Sequence, residues 1–181
     1  MSSKTVLWLL NIVGGIAVLG SYVVGLSTHP GQGMMLWGEI PEGVRGPYTA
    51  MMFPAAFGYI TAFAYVITQP VDALDARLAG GLQRYVLIQT LFLVSAALWM
   101  PLCWVGIDNG LPWMVWPIQA VLAVTGAGAA YFVWQFAVIK DTDRPLFRKA
   151  ALIGSCFLAL QCTVIDGLIW PRFFSIAPLG L

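Results

Sequence analysis

Charge is what this sequence has least of. Only 9% of its 181 residues are Asp, Glu, Lys or Arg, against 60% hydrophobic, whereas a soluble domain carries about a quarter charged residues. A surface so poor in charge cannot be solvated by water, which excludes a soluble globular domain. Nine basic residues against eight acidic ones leave a net charge of +1, too little for the basic face that nucleic-acid binding requires; no nucleic-acid partner is expected. Histidine occurs once, as His29, so that even with Met34 and Met35 nearby there is no cluster of metal ligands, and no metal residues are assigned. The three cysteines, Cys103, Cys156 and Cys162, show no CxxC spacing and read as small core residues. There is no phosphate-cradling glycine loop, no nucleophile beside a base and no pair of intramembrane carboxylates, so the usual catalytic constellations are missing and enzymatic activity is unsupported. No motif identifies a cofactor. Internal repeats and low-complexity tracts are also absent, which makes 1–181 a single domain.

What the sequence does have is long apolar runs. Five of them, at roughly 5–27, 48–69, 85–107, 113–139 and 149–170, are long enough to cross the ~30 Å of hydrocarbon in a bilayer. The first run, from Val6 to Leu26, is too long for the h-region of a signal peptide and reads as a span. Backbone in lipid must satisfy its own hydrogen bonds, and no alternating strand pattern is present, so the fold class is all-α: an integral membrane bundle of five transmembrane helices. The lipid bilayer is the first partner that composition implies. With the N-terminus on the cytoplasmic side, Lys4, Arg77, Arg84, Lys140, Arg144, Arg148 and Lys149 lie inside and Arg45 and Arg172 outside, which favours N-in for a multi-pass protein.

Of the connections, the first is the unusual one. Between Thr28 and Pro47, glycines and prolines break regular structure, while Met34, Met35, Leu36 and Trp37 are too apolar for a solvated linker. This segment is expected either to cover a cavity at the bundle mouth or to rest in the membrane interface. The second connection, around Asp72, Asp75 and Arg77, suits a short surface helix before Gly80 and Gly81.

Polar side chains inside spans are costly and therefore informative. Asp166 is the sole acid in a span, close to the outer interface; it reads as a hydrated helix-end carboxyl or as a ligand counter-ion. Gln89 and Trp99 are ten residues apart, close to whole helical turns, so one inward face can hold both, with interhelical amide bonding as the plainer role for the glutamine. Small residues at fourfold spacing, Ala17, Ser21 and Gly25, then Gly126 and Ala130, allow close helix packing or a homodimer seam.

The stretch WGEIPEGVRGPYT from Trp37 to Thr49, running into Phe53 and then Gly58 and Tyr59, resembles the first loop and second helix of the tryptophan-rich sensory protein or translocator protein family. In the third span QTLFLVSAALW, from Gln89 to Trp99, is similar to that family's Gln-Leu-Asn-Trp pattern, with Ser95 or a neighbour where Asn is expected. The match also needs a one-residue shift after Pro47, and the fifth span lacks the family's Leu-Asn ending. The resemblance implies a five-helix bundle whose cavity, beneath the first loop, accepts a flat hydrophobic small molecule such as a porphyrin or sterol, for sensing or transport. Trp37 would cap that cavity, and Gln89 and Trp99 would line it. With the matched Pro47, Tyr48 and Phe53, and with Asp166, these form the candidate ligand-binding set. The alternative is a structural or assembly subunit whose aromatic and small-residue faces contact other membrane subunits.

Overall fold

The computed structural model describes residues 3–139 and 143–177. It is an all-α bundle. Helices α1 (Ser3–Thr28), α2 (Glu42–Thr68), α4 (Gly81–Asp108), α5 (Val115–Val138) and α6 (Pro145–Ala159) are the long ones, and α3 (Val71–Arg77) is the short surface helix before the glycine turn. The last span does not stay α-helical. Beyond α6 it continues as a π-helix over Leu160–Ile169 and ends in a 3-10 turn, Trp170–Arg172. Five helices are long and apolar enough to cross a membrane, making the chain a multi-pass membrane protein.

Four of the long helices, α1, α2, α4 and α6, begin earlier than the apolar runs. Pro41, in extended conformation, precedes Glu42, whose carboxylate suits the first turn of α2. The helix therefore starts six residues before Tyr48, and Pro47 lies in its second turn. Likewise Pro145, whose missing N–H costs nothing at the first helical position, starts α6 ahead of Lys149. The connection at residues 140–142 falls outside the described residues; beside it, Asp143 reaches Arg77 at 3.6 Å.

The bundle runs α1, α4, α5, α6, α2 around its circumference, while α1 and α2 touch only sparsely. The span that contains α5 is the most buried of the five and α1 the least. Lipid tails are as apolar as leucine, so burial alone does not hold such helices together and close packing must. The closest approach is between α2 and α6. A Cβ on Gly58 would collide with the backbone of Gly154, and one on Gly154 would come within 2.6 Å of the Gly58 Cα. Cys103 and Cys162 pack into the interior, whereas Cys156 faces outward and is not a core residue.

Two apolar cores result. One, at the α3 end, gathers Tyr65, Tyr85, Phe92, Phe132 and Phe136. The other, at the opposite end, gathers Leu36, Ile40, Met100, Trp104, Ile118 and Trp170. Exposed Trp8 and Trp134 lie toward the α3 end and exposed Trp113 and Trp116 toward the other, as expected of rings that favour the headgroup region on both sides of a bilayer.

The first connection closes the second core. Residues Gly33–Trp37 form a 3-10 turn. Leu36 and Ile40 are buried, Trp37 is half-buried, and Met34 and Met35 face outward. Trp170 Nε1 donates to the Leu36 carbonyl at 2.9 Å, and Glu39 N–H to the Phe173 carbonyl at 2.9 Å. Gly38, at φ 54°, passes so close to that strand of tail that a Cβ would strike the Phe173 carbonyl. The loop is thus folded onto the bundle mouth and tied to the chain after the last span.

Candidate functional site

Among the polar contacts inside the bundle, two networks use the same kinds of donor. Toward the α3 end, Asn11 Oδ1 accepts from Tyr59 Oη at 2.6 Å and from Gln89 Nε2 at 3.0 Å. Toward the loop end, Asp166 Oδ1 accepts from Tyr48 Oη at 2.8 Å and from Gln161 Nε2 at 3.0 Å. Each is one oxygen held by a tyrosine hydroxyl and a glutamine amide. The remaining atom of the acceptor differs. Asn11 Nδ2 donates to the carbonyl of Leu7 at 2.7 Å, on its own helix, so the amide is used at both ends. Asp166 Oδ2 has no hydrogen-bond partner among the described residues.

The first network joins α1, α2 and α4 where α1 and α2 otherwise barely meet, helped by the edge-to-face contact of Trp8 on Phe63 at 5.2 Å. In lipid such a bond is worth about 0.6 kcal/mol on average and up to about 1.7, enough to hold an outer helix in register. Gln89 also donates to Tyr59 Oη at 3.0 Å, and its Oε1 is buried without a partner.

The second network sits inside a wall of rings. Trp37 packs edge-on against Tyr48, centroids 5.4 Å apart. Tyr22, from α1, lies 5.5 Å from Trp99, which lies 5.7 Å from Trp170. Within this end of the bundle Trp99 Nε1, Trp104 Nε1 and Gln161 Oε1 are buried and have no hydrogen-bond partner among the described residues. An interior polar atom normally has one, so each such orphan calls for an explanation.

The π-helix makes the Gln161–Asp166 contact. On an α-helix, neighbours are three or four residues apart, and residues five apart diverge. The i→i+5 spacing of a π-helix brings them onto one face. Thr163, in the same segment, donates to the Gly126 carbonyl at 2.9 Å and holds the wide turn against α5.

The residues selected from sequence therefore divide. Trp37, Tyr48 and Asp166 meet in one place, and Trp99 belongs to the ring wall beside them. Gln89 is on the same helix as Trp99 but ten residues away, ~15 Å along the axis, in the other network. Pro47 is exposed in α2, and Phe53, 64% exposed, faces outward. Tyr22, Gln161 and Trp170 are the site residues that sequence reasoning did not select, although Gln161 was visible as a polar residue in a span.

His29 borders the site at the end of α1. Its ring stacks on Trp104 with centroids 3.8 Å apart and planes within 1°. Nδ1 lies 2.8 Å from the Gly25 carbonyl and Nε2 3.0 Å from Asp108 Oδ2. Both nitrogens face acceptors, so the doubly protonated ring is the best-satisfied form. Accordingly the Gly25 carbonyl, and then Asp108, raise the His29 pKa above its ordinary value.

Two apolar grooves of about 480 Å³ each open on the outer surface. One runs between α1 and α4 past Val13, Gly14 and Leu93; the other runs along the Gly58–Gly154 crossing. Neither is lined by the residues of the Asp166 site. No protein-family model, curated protein or solved structure matches the chain.

Proposed function

We propose that the protein binds a flat hydrophobic small molecule, of porphyrin or sterol type, at the loop-capped end of its bundle, for sensing or transport. The observation that carries this reading is the set of buried, unpartnered polar atoms, Trp99 Nε1, Trp104 Nε1 and Gln161 Oε1, beside a carboxyl with a spare oxygen. Aromatic walls supply stacking area, and a few polar groups orient a ligand. The loop from Gly33 to Ile40 is the cover. The sparse contact between α1 and α2, which brings Tyr22 and Tyr48 to the edge of the site, supports entry sideways from the bilayer. The same reading accommodates a relationship to the tryptophan-rich sensory protein family. It puts the N-terminus on the cytoplasmic side, because Lys4, Arg77, Arg84, Arg144, Arg148 and Lys149 cluster at the α3 end and Arg45 and Arg172 at the other.

Titration of the detergent-purified chain with a porphyrin and with a sterol, followed by tryptophan fluorescence, tests it. Saturable quenching that weakens in Trp37→Ala and Trp99→Ala is the expected result. Linear quenching indifferent to both substitutions would overturn the proposal and leave the alternative, a subunit of a larger membrane assembly, to be sought by gentle co-purification.

A further inference from the structure

From the geometry around Asp166 we infer that the ligand carries a protonated amine on its flat apolar body, and that Asp166 Oδ2 with Gln161 Oε1 receives it; this rests on the small-molecule reading above.

Two acceptors on neighbouring, hydrogen-bonded side chains have no donor among the described residues. Asp166 has committed only Oδ1, to Tyr48 and Gln161, and the Gln161 amide that makes one of those bonds has its own oxygen buried and unmatched. Gln161 is 3% exposed, so the donor its orphan oxygen lacks must come from within the bundle rather than from bulk water, while Asp166 is half-buried beside it. An ammonium has donors to spare and no acceptor. The positive charge pairs with the carboxyl and satisfies the orphan amide oxygen in the same step, and a charge-assisted hydrogen bond is about twice as strong as a neutral one. The surrounding rings favour the same chemistry. Tyr22, Tyr48, Trp37 and Trp99 are half-buried, and a cation within about 6 Å of such faces gains from the ring quadrupole, more when it is desolvated.

Among the described residues no basic side chain does this work. Arg45, the nearest arginine in sequence to Tyr48, donates through Nε to the Ile40 carbonyl at 2.9 Å and turns toward Met34. His29 is engaged by Gly25 and Asp108.

The test compares two planar probes of nearly equal shape, 9-aminoacridine, cationic at neutral pH, and acridine, neutral there. Both are titrated into the full chain in a non-ionic detergent, with tryptophan quenching as readout. The wild type should bind 9-aminoacridine saturably and about tenfold more tightly than acridine, about 1.4 kcal/mol. Asp166→Asn should bring the two affinities within about twofold. Gln161→Leu, which keeps the carboxyl, should reduce the preference in part. Equal wild-type affinities, or a preference that survives Asp166→Asn, would overturn the inference. Because the wild-type comparison needs no variant, a misfolded Asp166→Asn does not blunt it. If both probes bind equally and Trp37→Ala weakens both, the amine assignment fails and the flat-ligand site stands. If neither binds saturably, both fall.

Discussion

The Asn11 and Asp166 networks share a tyrosine hydroxyl, a glutamine amide and a single accepting oxygen, and they differ in one atom. In asparagine the second atom is a donor, and the helix's own Leu7 carbonyl takes it. In aspartate it is an acceptor, and no described group supplies a proton to it. In the first arrangement the acceptor residue is satisfied at both ends, although Gln89 Oε1 is left without a partner beside it as Gln161 Oε1 is in the second, and it serves to fasten an outer helix. The second is open, and openness inside a membrane protein is costly unless something fills it. What separates a strut from a site here is therefore the donor–acceptor balance, not the residue types around it.

Exchanging the two acceptors is the strongest test of that contrast. Asn11→Asp would point a second acceptor at the Leu7 carbonyl in a dry environment, and it should cost about 3 kcal/mol, seen as a clear loss of thermal stability in detergent. Tyr59→Phe, which removes one donor from the closed network, should cost about 1 kcal/mol; Tyr48→Phe should cost less stability but weaken ligand quenching. Asp166→Asn preserves the accepting Oδ1 and should change stability by less than about 1 kcal/mol, so a large loss would mean that the open network is a strut too.

The loop end should also respond to pH. Since the fold raises the His29 pKa, the stabilisation is complete below the unfolded value of about 6.5 and is lost as pH rises through the raised folded value. The midpoint of thermal unfolding is expected to fall between about pH 6 and about pH 9, and to fall less in Asp108→Asn. A slope unchanged by that substitution would remove Asp108 from the account. The smallest effect is expected of Trp99→Phe. It deletes an N–H that has no partner, so stability should stay within about 1 kcal/mol of wild type or rise, while ligand binding weakens.

Much of the architecture was legible because scarcity of charge and length of apolar run are properties of single segments. The five spans and the surface helix after Pro70 needed no knowledge of neighbours. The tightest helix crossing, Gly58 on Gly154, could have been found the same way, from Gly58 and Ala62 in the second span and Ala150 and Gly154 in the fifth, each pair at fourfold spacing. The start of α2 was harder, since Gly46 and Pro47 look like breakers, yet they fall inside a helix already begun at Glu42. The site was only half legible. Trp37, Tyr48 and Asp166 stood out by type, but Gln89 and Trp99 sharing a helix face says nothing about their different heights. Gln161 as the partner of Asp166 could not be read at all from α-helical periodicity, because it depends on a local departure from that periodicity.

That departure bears on how the site arose and how it could be erased. A wide turn holds one more residue than an α-turn over the same stretch, as if a residue had been inserted into an older, regular helix. Removing one residue between Leu160 and Ile169 would let the segment relax to α-helix while the residues beyond it kept nearly their present register. Trp170 would go on holding the Leu36 carbonyl, while Asp166 lost its alignment with Gln161. A single deletion would thus dismantle the carboxyl's surroundings and leave the loop latched, in a span still long enough and apolar enough to cross the bilayer.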